Sequence, residues 1–169
     1  IRYGYIEQLD DELLRISKES FDALSFNCYA LSPDHEKMNH ALEISGLPMI
    51  IGEYHFGTVD RGLAQSLWQV NSQKERGDAF RYYTENAFAH RGLIGTGWFR
   101  WIDQNINGRT DGENYNCGFI DVTDRPYPYM VDAAIETAKS LYEIHSGTKT
   151  PFHQAPNAVG HSPIPDLWE

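Results

Sequence analysis

Residues 48–56 read Pro48-Met49-Ile50-Ile51-Gly52-Glu53-Tyr54-His55-Phe56, an apolar run that ends in polar and aromatic side chains. A short apolar run of this length, rich in β-branched and aromatic residues, is typical of a buried β-strand. Because side chains alternate along a strand, Met49, Ile51, Glu53 and His55 are expected to share one face. If Met49 and Ile51 line the interior of a barrel, Glu53 and His55 emerge at its mouth.

Two further apolar runs occupy residues 21–29 and 93–101, and residues 1–5 could be the end of one more strand. Helical patterns separate these runs, over residues 11–19, 35–44, 72–89 and 129–144. The alternation of strand and helix predicts a parallel sheet with helical crossovers. An open nucleotide-binding sheet would need a glycine-rich loop after an early strand, and the sequence has none.

The predicted fold class is α/β, with three or four units of a (β/α) TIM-type barrel over residues 1–147 and an extended tail over residues 148–169. A complete barrel of this type needs about 250 residues. The chain has 169 residues, so the barrel is expected to be incomplete in this chain.

The composition argues against several classes of partner. The formal net charge is -10 and the lysines and arginines are scattered, so nucleic acid, which requires clustered cations, is not expected. No apolar run approaches the roughly 18 residues of a membrane-spanning helix, so no membrane is expected. Seven histidines and two cysteines show no metal-ligand spacing, and we expect neither a metal nor a cofactor. The aromatic fraction of 13% suits sugar stacking or an ordinary core.

Polar and aromatic side chains follow each apolar run, at the strand end where β/α barrels place their functional groups. These residues are Asn27 and Tyr29 in the first run, Glu53 and His55 in the second, and Trp98 and Arg100 in the third. By the same alternation, Trp98 and Arg100 are expected to point into the barrel. The three strand ends should therefore form one site.

Glu53 is the most informative of these residues, because a carboxylate at the end of an apolar strand must be paired, hydrated or functional. One interpretation is a structural ion pair with Arg100 or Arg61. The other is the nucleophile of a retaining glycosidase, which works with a second carboxyl about 5–5.5 Å away. A cation such as Arg100 would keep that nucleophile ionised.

The neighbouring residues have two interpretations each. His55 could orient Glu53 or bind a sugar hydroxyl, or it could be an ordinary histidine at the rim. Trp98 could lie under a sugar ring or pack in the core. Asn27 and Tyr29 could hydrogen-bond the nucleophile or the substrate. The loop at residues 111–115 could be a sugar subsite or a plain surface loop.

Residues 48–62, which extend the run ending at Phe56 by Gly57-Thr58-Val59-Asp60-Arg61-Gly62, resemble the nucleophile strand of glycoside hydrolase family 50, the β-agarases. Residues 25–29 resemble the sixth-strand signature of that family. The segments 95–103, 108–115 and 118–121 resemble its eighth strand and the loop that follows. Together the resemblance covers most of residues 21–130 in the same order.

The resemblance implies the C-terminal portion of a barrel whose acid/base follows the fourth strand and whose nucleophile follows the seventh. Glu53 takes the nucleophile position. The residues that the resemblance assigns as contacts of the substrate or the nucleophile are Asn27, His55, Asp60, Arg61, Trp98 and Asn114. The implied substrate is agarose, a neutral galactan cut at β-1,4 bonds, and the implied location is secreted or periplasmic in a bacterium.

One feature of the family pattern has no counterpart in these residues, namely the acid/base glutamate after the fourth strand. The expected partner is therefore the missing N-terminal half of the barrel, and the isolated chain is expected to be inactive. Two alternatives stay open. The enzyme could cleave another β-galactoside or a β-glucan, or the chain could be a non-catalytic sugar-binding or assembly module.

Overall fold

The computed structural model describes residues 1–160, in which each strand of the main sheet is followed by a helix. The helices are α1 (Asp11–Ser20), α2 (His35–Ser45), α3 (Gln73–Phe88) and α4 (Pro128–His145), with a 3-10 turn at Ile6–Gln8. The strands are β1 (Arg2–Tyr5), β2 (Leu24–Asn27), β3 (Met49–Tyr54), β4 (Trp68–Gln69), β5 (Leu93–Trp98) and β6 (Val159–Gly160). β1, β2, β3 and β5 pair in that order, all parallel. The predicted α/β fold with a parallel sheet is confirmed.

Local capping explains why the predicted helix bounds agree with the structure to within two residues. The Asp10 carboxylate accepts from the Leu13 backbone N–H at 2.8 Å and begins α1. The Asp34 carboxylate begins α2, and Gly46 ends that helix in the left-handed conformation that glycine adopts without strain. These signals lie within a few residues of the helix ends, so the sequence alone contains them.

The helices cover one face of the sheet, and the other face is open. Met49 and Ile51 are fully buried with the helices, together with Leu24, Phe26 and Leu93. Ile50 and Gly52 lie on the open face, where the Gly52 Cα faces the Ser25 and Asn27 side chains. The prediction that Met49 and Ile51 line the barrel interior is therefore wrong.

An irregularity in β3 moves Glu53 to the open face. Phe26 is paired with Ile51 but Asn27 with Glu53, so β3 has one more residue than β2 over this interval. On the other side, the register also shifts between Ile51 and Tyr54. A bulge of this kind bends the strand and re-aims the side chains around it. Tyr54 consequently returns to the helix-covered face, where it stacks on Tyr83 of α3 at a centroid distance of 4.0 Å.

The part of the tail that the structure describes, residues 148–160, has no helix and lies against α3. Its Phe152 N–H donates to the buried Glu85 carboxylate at 2.8 Å. β6 then pairs antiparallel with β4. The rest of the predicted tail, residues 161–169, lies outside the described residues. Within residues 1–160, no helix combines the length and the apolar character that a membrane crossing requires.

Candidate active site

Three side chains from two neighbouring strands and the loop after β2 converge on the Glu53 carboxylate. Asn27 Nδ2 and the Tyr29 hydroxyl each donate to Oε2 at 3.0 Å. The guanidinium of Arg2, in β1, donates to Oε1 and also, at 3.0 Å, to Asn27 Oδ1. The Glu53 side chain is 26% exposed, so the carboxylate is held on one side and open to solvent on the other.

The surroundings of the Tyr29 hydroxyl fix its role in this cluster. Burial and the adjacent Glu53 carboxylate raise the pKa of Tyr29 well above its ordinary value. Tyr29 therefore stays protonated and remains a hydrogen-bond donor. The cation that pairs with Glu53 is Arg2, and the predicted partners Arg100 and Arg61 are wrong. The sequence signal for Arg2 was its place in the first strand, beside the strand that contains Asn27.

His55 does not emerge at the mouth of the site, as alternation had predicted. It is 1% exposed, and its Nε2 accepts from the Leu67 backbone N–H at 3.2 Å. The edge of its ring meets Tyr29 at a centroid distance of 5.0 Å, and Tyr115 lies on another side at 5.7 Å. Burial lowers the pKa of His55 to about 3, so the ring is neutral. His55 is thus connected to Glu53 through Tyr29.

Trp98 lies on the helix-covered face, and the prediction that it points into the barrel is wrong. Its ring packs edge-on against Tyr54 and Phe80, and Nε1 donates to the Cys117 carbonyl at 2.6 Å. Trp98 is paired in register with Tyr54, and the two side chains lie on the same, helix-covered face. Arg100 is half-buried, and its guanidinium makes no hydrogen bond within residues 1–160.

Asp60, Arg61 and Asn114 lie in the loops after β3 and β5, and each contacts a residue outside its own loop. The Asp60 carboxylate accepts from Gln73 Nε2 at 2.7 Å. The Arg61 guanidinium lies 5.6 Å from the centre of the Tyr127 ring. Asn114 Oδ1 accepts from the Ala64 backbone N–H at 3.0 Å and so joins the two loops. The structure does not bring these three side chains into hydrogen-bond contact with Glu53.

A buried polar network, which the sequence analysis missed, joins the loop after β5 to α3. The Asp103 carboxylate accepts from the Tyr127 hydroxyl at 2.6 Å, Asn116 Nδ2 at 2.8 Å and the Gly118 N–H at 2.7 Å. The fully buried Arg76 of α3 donates to Asn116 Oδ1 at 2.8 Å. No local sequence signal distinguishes a buried arginine from the exposed arginines of an amphipathic helix. In residues 1–160, no three His, Cys, Asp or Glu side chains come together as a metal site would need.

The sequence and the fold of this chain are similar to those of known agarases. β-Agarase A of Vibrio sp. (strain JT0107) is 39% identical over 128 residues, which are 72% of this chain and 13% of that protein. The solved structure of an agarase, AgWH50C, matches with a TM-score of 0.79 and 36% identity over 85% of this chain and 20% of that one. The chain is a homologue of the family 50 β-agarases. No protein-family profile matches it.

A more distant likeness concerns the fold alone. Xylanase 10B from Thermotoga petrophila matches this agarase homologue with a TM-score of 0.52 and 14% identity, over 83% of this chain and 46% of that one. The parallel sheet thus corresponds to part of a TIM-barrel enzyme. The agarase homologue spans 13% of the curated relative and 20% of the solved agarase.

Proposed function

We propose that the full-length protein is a retaining glycoside hydrolase that cleaves β-1,4 bonds of agarose or agaro-oligosaccharides, with Glu53 as the nucleophile. The sheet would be the C-terminal portion of its TIM-type barrel. The main support is the Glu53 carboxylate, which is held by Asn27, Tyr29 and Arg2 at the carboxyl ends of parallel strands and is open on its other side. Functional groups of β/α barrels occupy that edge.

The contacts of the two Glu53 carboxylate oxygens indicate a different role for each oxygen. Oε2 accepts two hydrogen bonds, from Asn27 and Tyr29, and so orients the group. Oε1 has Arg2 as its described partner, and the Arg2 side chain is 54% exposed. Oε1 is therefore the oxygen that attacks the anomeric carbon. A second carboxyl, outside this chain, protonates the leaving oxygen and then activates the water that releases the glycosyl-enzyme.

The choice of agarose rests on the names of the relatives and on charge. The curated relative is a β-agarase, and the solved one is an agarase. A net charge of -10 disfavours a polyanionic substrate and is compatible with a neutral galactan. Because a polysaccharide cannot enter a cell intact, the full-length protein would act outside the cytoplasm, secreted or in the periplasm.

Replacement of the nucleophile tests the proposal. In the full-length protein, Glu53→Gln should lower kcat on agarose by roughly four orders of magnitude or more, as loss of a covalent nucleophile does. The matched control is Glu136→Gln, because Glu136 is an exposed carboxylate on α4 that pairs with Lys139 and not with the Glu53 cluster. Glu53→Gly with added azide should form a glycosyl azide of inverted anomeric configuration. Near-normal turnover by Glu53→Gln would reject the proposal.

A panel of substrates separates agarose from the alternative substrates, another β-galactoside or a β-glucan. If the enzyme hydrolysed a simple β-galactoside or a β-glucan but not agarose, the proposed substrate would be wrong and the proposed mechanism would still stand. For the isolated 169-residue chain we expect no release of reducing sugar, since the proposed mechanism takes its second carboxyl from outside this chain. Retention on an agarose column without hydrolysis would then identify a sugar-binding fragment.

A further inference from the structure

Trp101 presents an exposed aromatic ring that the proposed mechanism leaves unused. Its ring is 68% exposed and lies three residues beyond the end of β5. One face of the indole is backed by Phe119, nearly parallel to it, with an interplanar angle of 22° and a centroid distance of 5.9 Å. The opposite face of the indole is therefore the one available to a ligand.

The Trp101 ring is held in place by contacts with residues that pack against the core. The Trp101 carbonyl accepts from the Phe119 N–H at 2.8 Å and from the Ile120 N–H at 3.1 Å. Phe119 in turn packs edge-on against Trp98 and Phe80, at centroid distances of 5.8 and 5.5 Å. A ring held in this way loses little conformational entropy when a ligand binds.

The position of Trp101 relative to Glu53 follows from the backbone. The Phe99 N–H donates to the Tyr54 carbonyl at 2.9 Å, so this segment meets β3 one residue beyond Glu53. Trp101 is two residues further on, and two peptide units span at most about 7.6 Å between Cα atoms. The ring therefore stands at the same edge of the sheet as the carboxylate. Arg100 precedes Trp101 in the chain and is half-buried. Its guanidinium has no hydrogen bond within residues 1–160 and can donate to hydroxyl groups.

We propose that Trp101 is the stacking platform of a sugar-binding subsite beside Glu53, in which one ring of the neutral galactan lies on the indole and Arg100 donates to its hydroxyls. This inference rests on the proposed function. A neutral sugar offers no charge for recognition, so a flat aromatic surface with a nearby donor is the chemistry suited to it. The subsite would strengthen binding of the chain without taking part in bond cleavage.

The test compares Trp101→Phe and Trp101→Leu in the full-length protein. Leucine keeps an apolar contact with Phe119 but removes the flat ring, whereas phenylalanine keeps a ring. The matched control is Tyr142→Leu, because Tyr142 is an exposed ring that lines a cavity with Leu93 at the opposite, amino-terminal end of β5. Two quantities are measured, KM and kcat on agarose, and the Kd of agaro-oligosaccharides in a Glu53→Gln background.

For Trp101→Leu we expect KM and Kd to rise roughly three- to tenfold, the scale of a single aromatic contact, with kcat within about twofold of the parent. Trp101→Phe should have KM and Kd values near those of the parent, and Tyr142→Leu should have the same values as the parent. Unchanged KM and Kd in Trp101→Leu would overturn the proposed subsite. A fall in kcat without a rise in KM would also overturn it. So would a Glu53→Gln parent that binds no oligosaccharide. The Kd needs no hydrolysis, so failure of the subsite is distinguishable from failure of Glu53 as nucleophile.

Discussion

The Asn27 amide donates from Nδ2 to Oε2 of Glu53 at 3.0 Å, and these two residues face each other in register across β2 and β3. The pairing exists because β3 contains one extra residue between Ile51 and Glu53. Without the bulge, Gly52 would face Asn27. The position of the proposed nucleophile is therefore a property of how the two strands pair.

Removal of the Tyr29 hydroxyl should slow the reaction while leaving the fold intact. Tyr29→Phe loses one of two hydrogen bonds to Oε2 but keeps the ring against His55. A hydrogen bond to a charged group contributes about 1.5–3 kcal/mol, so we expect kcat to fall by about ten- to a hundredfold. Tyr5→Phe, whose ring lies 6.4 Å from that of Tyr29, is the control and should keep the parental kcat. Equal effects of the two changes would contradict the assignment.

Replacement of Arg2 should separate activity from stability. Arg2→Gln removes the cation beside Glu53, and we expect kcat/KM to fall by about tenfold, a loss typical of a charge-assisted contact. The Arg2 side chain is 54% exposed, so the free energy of unfolding should change by less than about 1 kcal/mol. Arg2→Lys keeps the charge and should recover part of the activity. A large loss of stability with unchanged turnover would assign Arg2 a structural role only.

His55 should make stability depend on pH. Its pKa is lowered to about 3 by burial, below the ordinary 6.5, so between these values the unfolded chain binds a proton that the folded protein excludes. The neutral His55 ring contributes fully to the free energy of unfolding above pH 6.5. This contribution is lost as the pH falls toward 3. The slope from this one group is at most about 1.4 kcal/mol per pH unit.

Urea unfolding at pH 7.0, 5.5 and 4.5 checks this expectation for the parent and for His55→Gln. The parent should lose more stability than the variant between pH 7.0 and 4.5. The control is Val70→Ala, because Val70 is buried and has no titratable group, so its loss of stability should be the same at the three pH values. Parallel curves for the parent and His55→Gln would show that His55 is not the titrating group.

Disruption of the buried network around Asp103 should lower the free energy of unfolding. Asp103→Asn replaces an acceptor of three hydrogen bonds close to the buried Arg76. We expect the free energy of unfolding to drop by about 2–4 kcal/mol, because buried donors and a buried cation lose their compensation. Asp132→Asn, an exposed change on α4, should cost less than about 0.5 kcal/mol. Equal denaturation midpoints for the two variants would contradict the role of Asp103.

Two glycines of β5 should differ in tolerance. A Cβ at Gly97 would lie 2.6 Å from the Gly52 carbonyl oxygen, whereas a Cβ at Gly95 would lie 3.6 Å from Ile50 Cγ2. Gly97→Ala should therefore cost about 1–3 kcal/mol through overpacking and should also lower kcat, because it pushes on the bulge beside Glu53. Gly95→Ala should be close to neutral in both urea unfolding and turnover. The reverse order would refute the close approach at Gly97.

The helices and the parallel sheet were predictable because their signals are local. Side-chain caps, a glycine stop and the periodicity of apolar residues all act within one element. Alternation grouped Met49 with Ile51 but did not show which face of the sheet the helices cover. Past Ile51 it failed, since alternation assumes an unbroken ladder. The bulge reverses the phase of β3 beyond Ile51, so Glu53 lies on the open face and Tyr54 returns to the helix-covered face.

By itself, the sequence determined that an apolar strand ends in Glu53 and that Asn27 and Tyr29 follow a neighbouring strand of an α/β fold. Only the tertiary structure decided that Arg2 is the cation at the carboxylate and that Trp101 stands exposed at the same edge. The physical reason is distance along the chain. Asn27 and Arg2 lie 26 and 51 positions from Glu53, and hydrogen bonds over such separations depend on strand register, which no local pattern encodes.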